Sequence, residues 1–349
     1  MQHPIELDKA LQQRKEGALL IDVRTPAEFT ETTIPGAVNV PLFSNSERAE
    51  IGTVYKHQGK KAARKLGVAT VAPRIPALIE QVEAARQVQD GPLIVFCWRG
   101  GMRSLALVSF LQLAGFPARQ LIGGHKAFRR MVHDYFMRNQ WPPVYVLRGL
   151  TGVGKTRVLK QLAERGQPVV DLEGLANHRG SAFGALGLQQ QPSQKMFEAL
   201  LWDRLVHLNE HPYLVTEGES RHIGRVVVPP RFHQAMQTQV SLWLEATLAT
   251  RVAIILDDYP ARDQLREQFL DPLQALKERL GKQTVAELTK LLEQGQWEQL
   301  VRELMVRYYD PLYLHTKPDR RIEIQMEPQA DCPDRVAQVL EEIHRATCP

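Results

Sequence analysis

An apolar run, a glycine-containing loop and a helical stretch follow one another twice in this chain, and that order restricts each half to a sheet flanked by helices. The first instance is Leu93-Ile-Val-Phe96, then Cys97-Trp-Arg-Gly-Gly-Met-Arg103, then a helical stretch over 104–114. The second is Val144-Tyr-Val-Leu147 followed by Gly149-Leu-Thr-Gly-Val-Gly-Lys155-Thr156. Both loops present converging backbone N–H groups at the mouth of a helix, which is where anions bind. A chain that carries both must have a use for two anion cradles.

Apolar runs at 18–23, 37–40, 93–96 and 119–122 predict strands of a mostly parallel sheet in the first half. Asn139-Gln-Trp-Pro-Pro143 breaks the pattern, because paired prolines force an extended connector. The reading is an α/β domain over 1–136 and a second α/β domain over 137–349. In the latter, strands are expected at 144–147, 168–171, 213–217, 239–244 and 321–325. Helices are expected at 194–209, 247–257, 262–280, 284–294 and 334–346, the later ones adding a helical C-terminal part. No internal repeat or low-complexity segment is present.

With 349 residues, 44% hydrophobic and 24% charged, the chain is long enough for two separate cores. No run approaches the roughly 20 apolar residues that a membrane span needs, and no secretory leader opens the sequence. A cytoplasmic protein without membrane association is the expectation. Cys97, Cys332 and Cys348 have no metal-site spacing and cannot all pair, so no disulfide framework is expected. The net charge of +5 is modest. Its distribution says more: Lys56, His57, Lys60, Lys61, Arg64 and Lys65 fall within ten residues, and Lys126, Arg129, Arg130, His133 and Arg138 form a second cluster. Beside two anion cradles, such clusters read as contacts to nucleic-acid phosphates, although a solvated helix face accounts for either one alone.

In the thiol loop, Cys97 is the candidate nucleophile. Trp98, Arg99, Gly100, Gly101 and Arg103 form its anion-binding surround, and oriented N–H groups with two arginines favour the thiolate. A cysteine followed six residues on by an arginine serves two chemistries. A phosphatase holds a tetrahedral oxyanion there, and a sulfurtransferase holds a persulfide. The second loop follows a strand and opens a helix, as a Walker A motif requires. Gly149, Thr151, Gly152 and Gly154 direct backbone toward a diphosphate, Lys155 reaches the terminal phosphate and Thr156 can ligate magnesium. Glu217 and Glu219, at the end of a strand, are candidates for acid–base work or for the magnesium ion. Asp171, Glu173 and the loop Asn177-His-Arg-Gly-Ser181 are secondary ones. Arg221, His222 and Arg225 can meet phosphates or simply be solvated.

The segments Ile21-Asp-Val-Arg24, Pro26-Ala-Glu-Phe29, Ile34-Pro-Gly-Ala-Val-Asn-Val-Pro41 and Leu121-Ile-Gly-Gly124 resemble the landmarks of the rhodanese domain. Thr33 stands where that family often has histidine, a change read as lying on a surface turn. The thiol loop is one residue longer than in single-domain rhodaneses, which widens the cradle to admit a phosphate-sized group. Together with the Walker A loop, Glu217-Gly-Glu219-Ser-Arg221 and Tyr308-Tyr-Asp-Pro311, the chain resembles the bacterial tRNA 2-selenouridine synthase family over nearly its full length.

That resemblance implies a rhodanese-like domain fused to a P-loop NTPase-like domain. The implied activity replaces the sulfur of wobble 2-thiouridine in tRNA by selenium, through S-geranylation with geranyl diphosphate and then selenation with selenophosphate. No tightly bound cofactor is implied, and magnesium would accompany the diphosphate. Cys97 would receive selenophosphate or carry a perselenide. The tRNA contacts would come from Lys60, Lys61, Arg64, Arg129, Arg130, Arg221 and Arg225. Trp98, Phe183 and Trp202 are aromatics that could stack on the base, with core packing the competing role for Trp202. The rival readings are an ATP-dependent sulfurtransferase or small-molecule kinase with a sulfur-delivery domain, and a non-catalytic anion sensor.

Overall fold

The computed structural model describes residues 3–88, 91–218, 220–315, 317–326 and 331–347. Glu219 and Cys348 lie outside them. The chain divides into two compact units, one of residues up to Arg138 together with Glu198–Trp202, the other of Asn139–Phe197 and the residues from Asp203 on.

The first unit is built on a parallel sheet of four strands in the order β2-β1-β3-β4: Leu19–Asp22 (β1), Val38–Asn39 (β2), Leu93–Phe96 (β3) and Ala118–Gln120 (β4). β1 and β3 are buried at every position, as continuous apolar runs between helical layers must be. Their side chains join Val40, Phe43, Leu78, Val82, Leu107 and Leu111 in one core. Helix Asn45–Val71 carries the first basic cluster. It bends at Gly59, whose φ of 82° and ψ of 177° interrupt the helical backbone.

Beneath this sheet's carboxyl edge lies a buried ionic knot. Arg24 and Asp22 pair at 2.6 Å, 2% and 0% exposed. Thr33 Oγ1 donates to Asp22 at 2.9 Å, and Arg24 donates to the Thr32 carbonyl at 2.5 Å. Thr33 is itself buried, so the expected surface turn is an interior position. Its hydroxyl satisfies a carboxylate that would otherwise carry an unmatched lone pair in the core.

The second unit has a parallel sheet of five strands in the order β11-β10-β5-β7-β6: Val144–Gly149 (β5), Val169–Val170 (β6), Leu214–Glu217 (β7), Ser241–Glu245 (β10) and Arg321–Gln325 (β11). Between β7 and β10 a two-strand hairpin pairs His222–Ile223 (β8) with Val226–Val227 (β9) around Gly224. The sequence reading did not include it. The strand that feeds the phosphate loop is thus central, with β7 on one side and β10 on the other. A helical part follows, with its own core of Phe183, Phe269, Leu273, Leu288, Trp297 and Tyr309. The continuous helix expected over 262–280 is broken into Arg266–Phe269, Leu270–Ala275 and Lys277–Leu280. Pro272 supplies the reason for the first break, since its ring excludes the carbonyl four residues back and it has no N–H to donate.

Candidate active site

Cys97 follows the last residue of β3 and is buried, 4% exposed. Its Sγ accepts a hydrogen bond from Gly101 N–H at 3.1 Å and lies 3.2 Å from Ser104 Oγ. Gln120 Nε2 donates to the same hydroxyl at 2.9 Å, leaving the Ser104 proton for the sulfur or for the Gly101 carbonyl at 3.1 Å. Burial pushes the thiol pKa up. The Ser104 hydroxyl and N–H, the Gly101 N–H and the Arg103 charge outweigh it, and the net displacement is downward. The thiolate is favoured, as a nucleophile or selenium acceptor requires.

The landmark motifs hold this loop. Gly123 and Gly124 let the chain of Leu121-Ile-Gly-Gly124 pass against it: a β-carbon on Gly124 would stand 2.1 Å from the Cys97 carbonyl and 2.5 Å from Gly100 N. His125 N–H and Lys126 N–H then cap the Cys97 and Trp98 carbonyls at 2.9 and 2.8 Å. Thr25 and Glu28 form a capping box at the start of helix Pro26–Glu31. The same Glu28 carboxylate takes both ends of the Arg103 guanidinium, at 2.6 and 3.2 Å. Burial raises the Glu28 pKa, Arg103 with the Thr25 N–H and the Arg24 charge together lower it more, and the net displacement is downward. Arg103 is therefore fixed in orientation. Arg99, by contrast, is exposed. Arg103 contributes to lowering the thiol pKa.

Against the thiol loop opens a cleft of about 1520 Å³, bounded by Cys97, Trp98 and Met102 on one side and by helix Asn45–Val71 on the other. Lys60 and Arg64 of the expected RNA contacts line it, with Lys56, and all three are exposed. Lys61 is exposed on the same helix.

In the second unit, β5 runs into the phosphate loop. Gly149, Gly152 and Gly154 take φ of 149°, 77° and 90°, and a β-carbon on Gly149 or Gly152 would meet backbone carbonyls at 2.5 and 2.7 Å. Glycine is required at both. Lys155 opens helix Lys155–Glu164 and donates to the Gly149 and Leu150 carbonyls at 3.1 and 3.5 Å. Thr156 Oγ1 donates to Glu173 at 3.1 Å, and Glu173 N–H donates to buried Glu217 at 2.8 Å. The β5–β7 register, Leu147 against Glu217, brings that carboxylate to the loop. Glu173, a secondary candidate from the sequence, is thus the carboxylate that meets Thr156. Asp171 instead caps helix Leu172–Ala176 by accepting from Gly174 N–H. Asn177, in the left-handed region at φ 48°, ends that helix, and Arg179 lies over the Tyr259 ring at 4.6 Å.

Arg251 and Asp310 are a pair that sequence reasoning missed. Arg251, 4% exposed, makes two 2.8 Å bonds to Asp310 and donates to the Thr151 carbonyl at 3.2 Å. Asp310 belongs to Tyr308-Tyr-Asp-Pro311, so this motif acts by holding the arginine that steadies the phosphate loop. Beside the loop is an apolar cavity of about 70 Å³ lined by Thr151, Phe183, Tyr259, Phe269, Trp297 and Tyr309.

The remaining expected contacts differ in availability. Arg130 and Arg221 are exposed. Arg129 is paired with Glu198 at 2.8 Å, and the Arg225 guanidinium holds the Gln191 carbonyl. Trp202 packs edge-on against Phe128 and is 4% exposed, and Phe183 belongs to the helical core. Trp98 alone of the three aromatics is exposed, at 38%.

Residues 4–131 match the model of the rhodanese-like domain, and residues 142–346 match that of the tRNA 2-selenouridine synthase AAA domain. The chain is 34% identical over 348 residues to the tRNA 2-selenouridine synthase of Nitrosomonas europaea, covering 87% of this chain and 90% of the relative. To the protein of that name from Bdellovibrio bacteriovorus it is 35% identical, with 87% and 90% covered. To that of Cupriavidus necator it is 36% identical, with 88% and 90% covered. No helix among the described residues is long and apolar enough to cross a membrane.

Proposed function

The chain belongs to the tRNA 2-selenouridine synthase family, and from that premise we propose that it exchanges the sulfur of wobble 2-thiouridine in tRNA for selenium in two displacements, one at each cradle. In the first, the thiouridine sulfur attacks C1 of geranyl diphosphate. The C–S bond forms, the C–O bond breaks and diphosphate leaves. In the second, the selenium of selenophosphate attacks C2 of the base. The C2–S bond breaks, its electron pair leaves on sulfur as geranylthiolate, and that anion takes a proton from water. Water then cleaves the Se–P bond, giving 2-selenouridine and phosphate.

The physical reason for two steps is the leaving group. Thiocarbonyl sulfur leaves poorly, whereas an alkylated sulfur leaves as a thiolate. In the first step negative charge grows on diphosphate, and the amides of the glycine loop with Lys155 stabilise it where it develops. Thr156 and Glu173 offer the hard oxygen donors that suit magnesium arriving with the diphosphate. Magnesium there would supply further charge neutralisation. In the second step the thiol loop, with Gly101 N–H and an oriented Arg103, is suited to hold the phosphate end of selenophosphate, and the Cys97 sulfur beside it to position the selenium for attack on C2, so that removing the sulfur stops this step alone.

The observation that carries this reading over nucleotide chemistry is the aromatic cavity next to Thr151. A prenyl diphosphate has an apolar tail leaving the diphosphate, and this lining matches it. Because the cavity is small beside a ten-carbon chain, the aromatic side chains must part to admit it. The test is to incubate the protein with RNA bearing 2-thiouridine and each co-substrate in turn, then read nucleoside masses. Geranyl addition with geranyl diphosphate, followed by its replacement once selenophosphate is added, is the expected result. Turnover of ATP without RNA, with geranyl diphosphate ignored, would overturn it and favour a kinase or ATP-dependent sulfurtransferase.

A further inference from the structure

The cleft beside Cys97 offers more than the selenium donor needs. Selenophosphate is a small polyanion that the thiol loop itself can hold, yet the lining of the cleft includes Phe43, Ile51, Ala63, Val68, Val71 and Phe110. At about 1520 Å³ the cleft is larger than the roughly 300–1,000 Å³ of ordinary ligand pockets. It is not closed off as core: Val68 is 69% exposed, Tyr55 57% and Met102 55%. Large apolar side chains held open to water beside a reactive thiol mark a binding surface for an apolar group. At its edge, Lys56, Lys60 and Arg64 stand on the same helix, in a ten-residue stretch without a single acidic residue. The occupant therefore has an apolar body carried on an anionic chain.

We propose that this cleft seats the prenyl chain of the S-geranylated wobble base during the selenium step, with the lysines and Arg64 on the flanking RNA phosphates. The proposal rests on the two-displacement reading above and deepens it. Seating the chain among Phe43, Val68 and Val71 aims the C2–S bond at the thiol loop, so that selenium attacks C2 while geranylthiol departs into the cleft. The apolar group first attached in the other unit is thereby also the handle by which the second site recognises its substrate. RNA still carrying unmodified 2-thiouridine lacks the handle and is not retained.

The full-length protein is assayed for selenation, with selenophosphate, of three anticodon stem-loop RNAs carrying S-methyl, S-dimethylallyl or S-geranyl 2-thiouridine. Each buried methylene strengthens binding by about 0.8 kcal/mol, so KM should fall stepwise with chain length, and burial of only about three or four of the extra carbons of geranyl lowers it on the order of 100-fold relative to methyl. Val68→Asp and Tyr55→Ser, both at exposed positions whose replacement spares the core, should collapse the ratio of the S-methyl to the S-geranyl KM by at least about 10-fold. Equal KM for all three RNAs, or an undiminished ratio in both variants, overturns the proposal and leaves the two-step reading standing. Selenation of none of the three RNAs refutes the two-step reading and the cleft proposal with it.

Discussion

The Cys97 sulfur stands 3.2 Å from the Ser104 hydroxyl, which sits in the first turn of helix Met102–Leu113 and receives a hydrogen bond from Gln120. That arrangement directs the serine proton toward the sulfur once the sulfur is ionised, and it offsets a burial that would otherwise keep the thiol protonated.

Ser104→Ala removes one donor from a buried thiolate, a loss of about 1 kcal/mol. Alkylation of Cys97 follows the thiolate fraction. Its pH profile should therefore move to higher pH in the variant, with a rate on the acid limb of the profile roughly five-fold below wild type. A profile that does not move would remove Ser104 from the account of Cys97 reactivity.

Glu28→Gln tests whether the carboxylate orients Arg103. The folded-state pKa of Glu28 lies below its ordinary value, so its contribution to stability is present above that value and is lost as pH falls through the folded pKa. The variant should be less stable than wild type by about 1 kcal/mol at pH 7. The gap in urea-unfolding free energy should close as the pH is lowered below about 4.5. Selenation should fall while geranylation persists, and equal loss of both would contradict the assignment.

Asp310→Ala breaks a pair whose arginine is buried, and stranding Arg251 should cost about 3–5 kcal/mol in urea unfolding. The double variant Arg251→Met, Asp310→Leu should recover much of that stability. It should still bind geranyl diphosphate weakly, because the Thr151 carbonyl has lost its anchor. Full recovery of the geranyl diphosphate KM in the double variant would show that the pair serves folding alone.

The strands were the most legible part of the sequence. Leu93–Phe96 forms over the residues expected, because a strand buried on both faces shows itself as an unbroken apolar run; Arg321–Gln325 does so as an edge strand, where Ile322 and Ile324 alternate with polar residues. The glycines of both cradles were legible for a related reason: close backbone approach leaves glycine no substitute. Contacts between residues distant in sequence were not legible. Nothing near Arg251 names Asp310 as its partner 59 residues on, and nothing in Pro26-Ala-Glu-Phe29 shows that Glu28 orients Arg103. Thr33 was expected on a surface turn, yet its hydroxyl is enlisted by a buried carboxylate. Pro272, which interrupts the helical hydrogen bonding between Arg266–Phe269 and Leu270–Ala275, was written in the sequence, and the helical pattern on either side concealed its effect.

The division of labour between the two cradles is the central claim, and nucleoside mass spectrometry of Cys97→Ala tests it most directly. Given 2-thiouridine RNA, geranyl diphosphate and selenophosphate together, this variant should accumulate the S-geranyl nucleoside with no selenium incorporated, whereas Lys155→Ala should return the RNA unchanged. Normal selenation by Cys97→Ala, or geranylation at the wild-type rate by Lys155→Ala, would contradict the account.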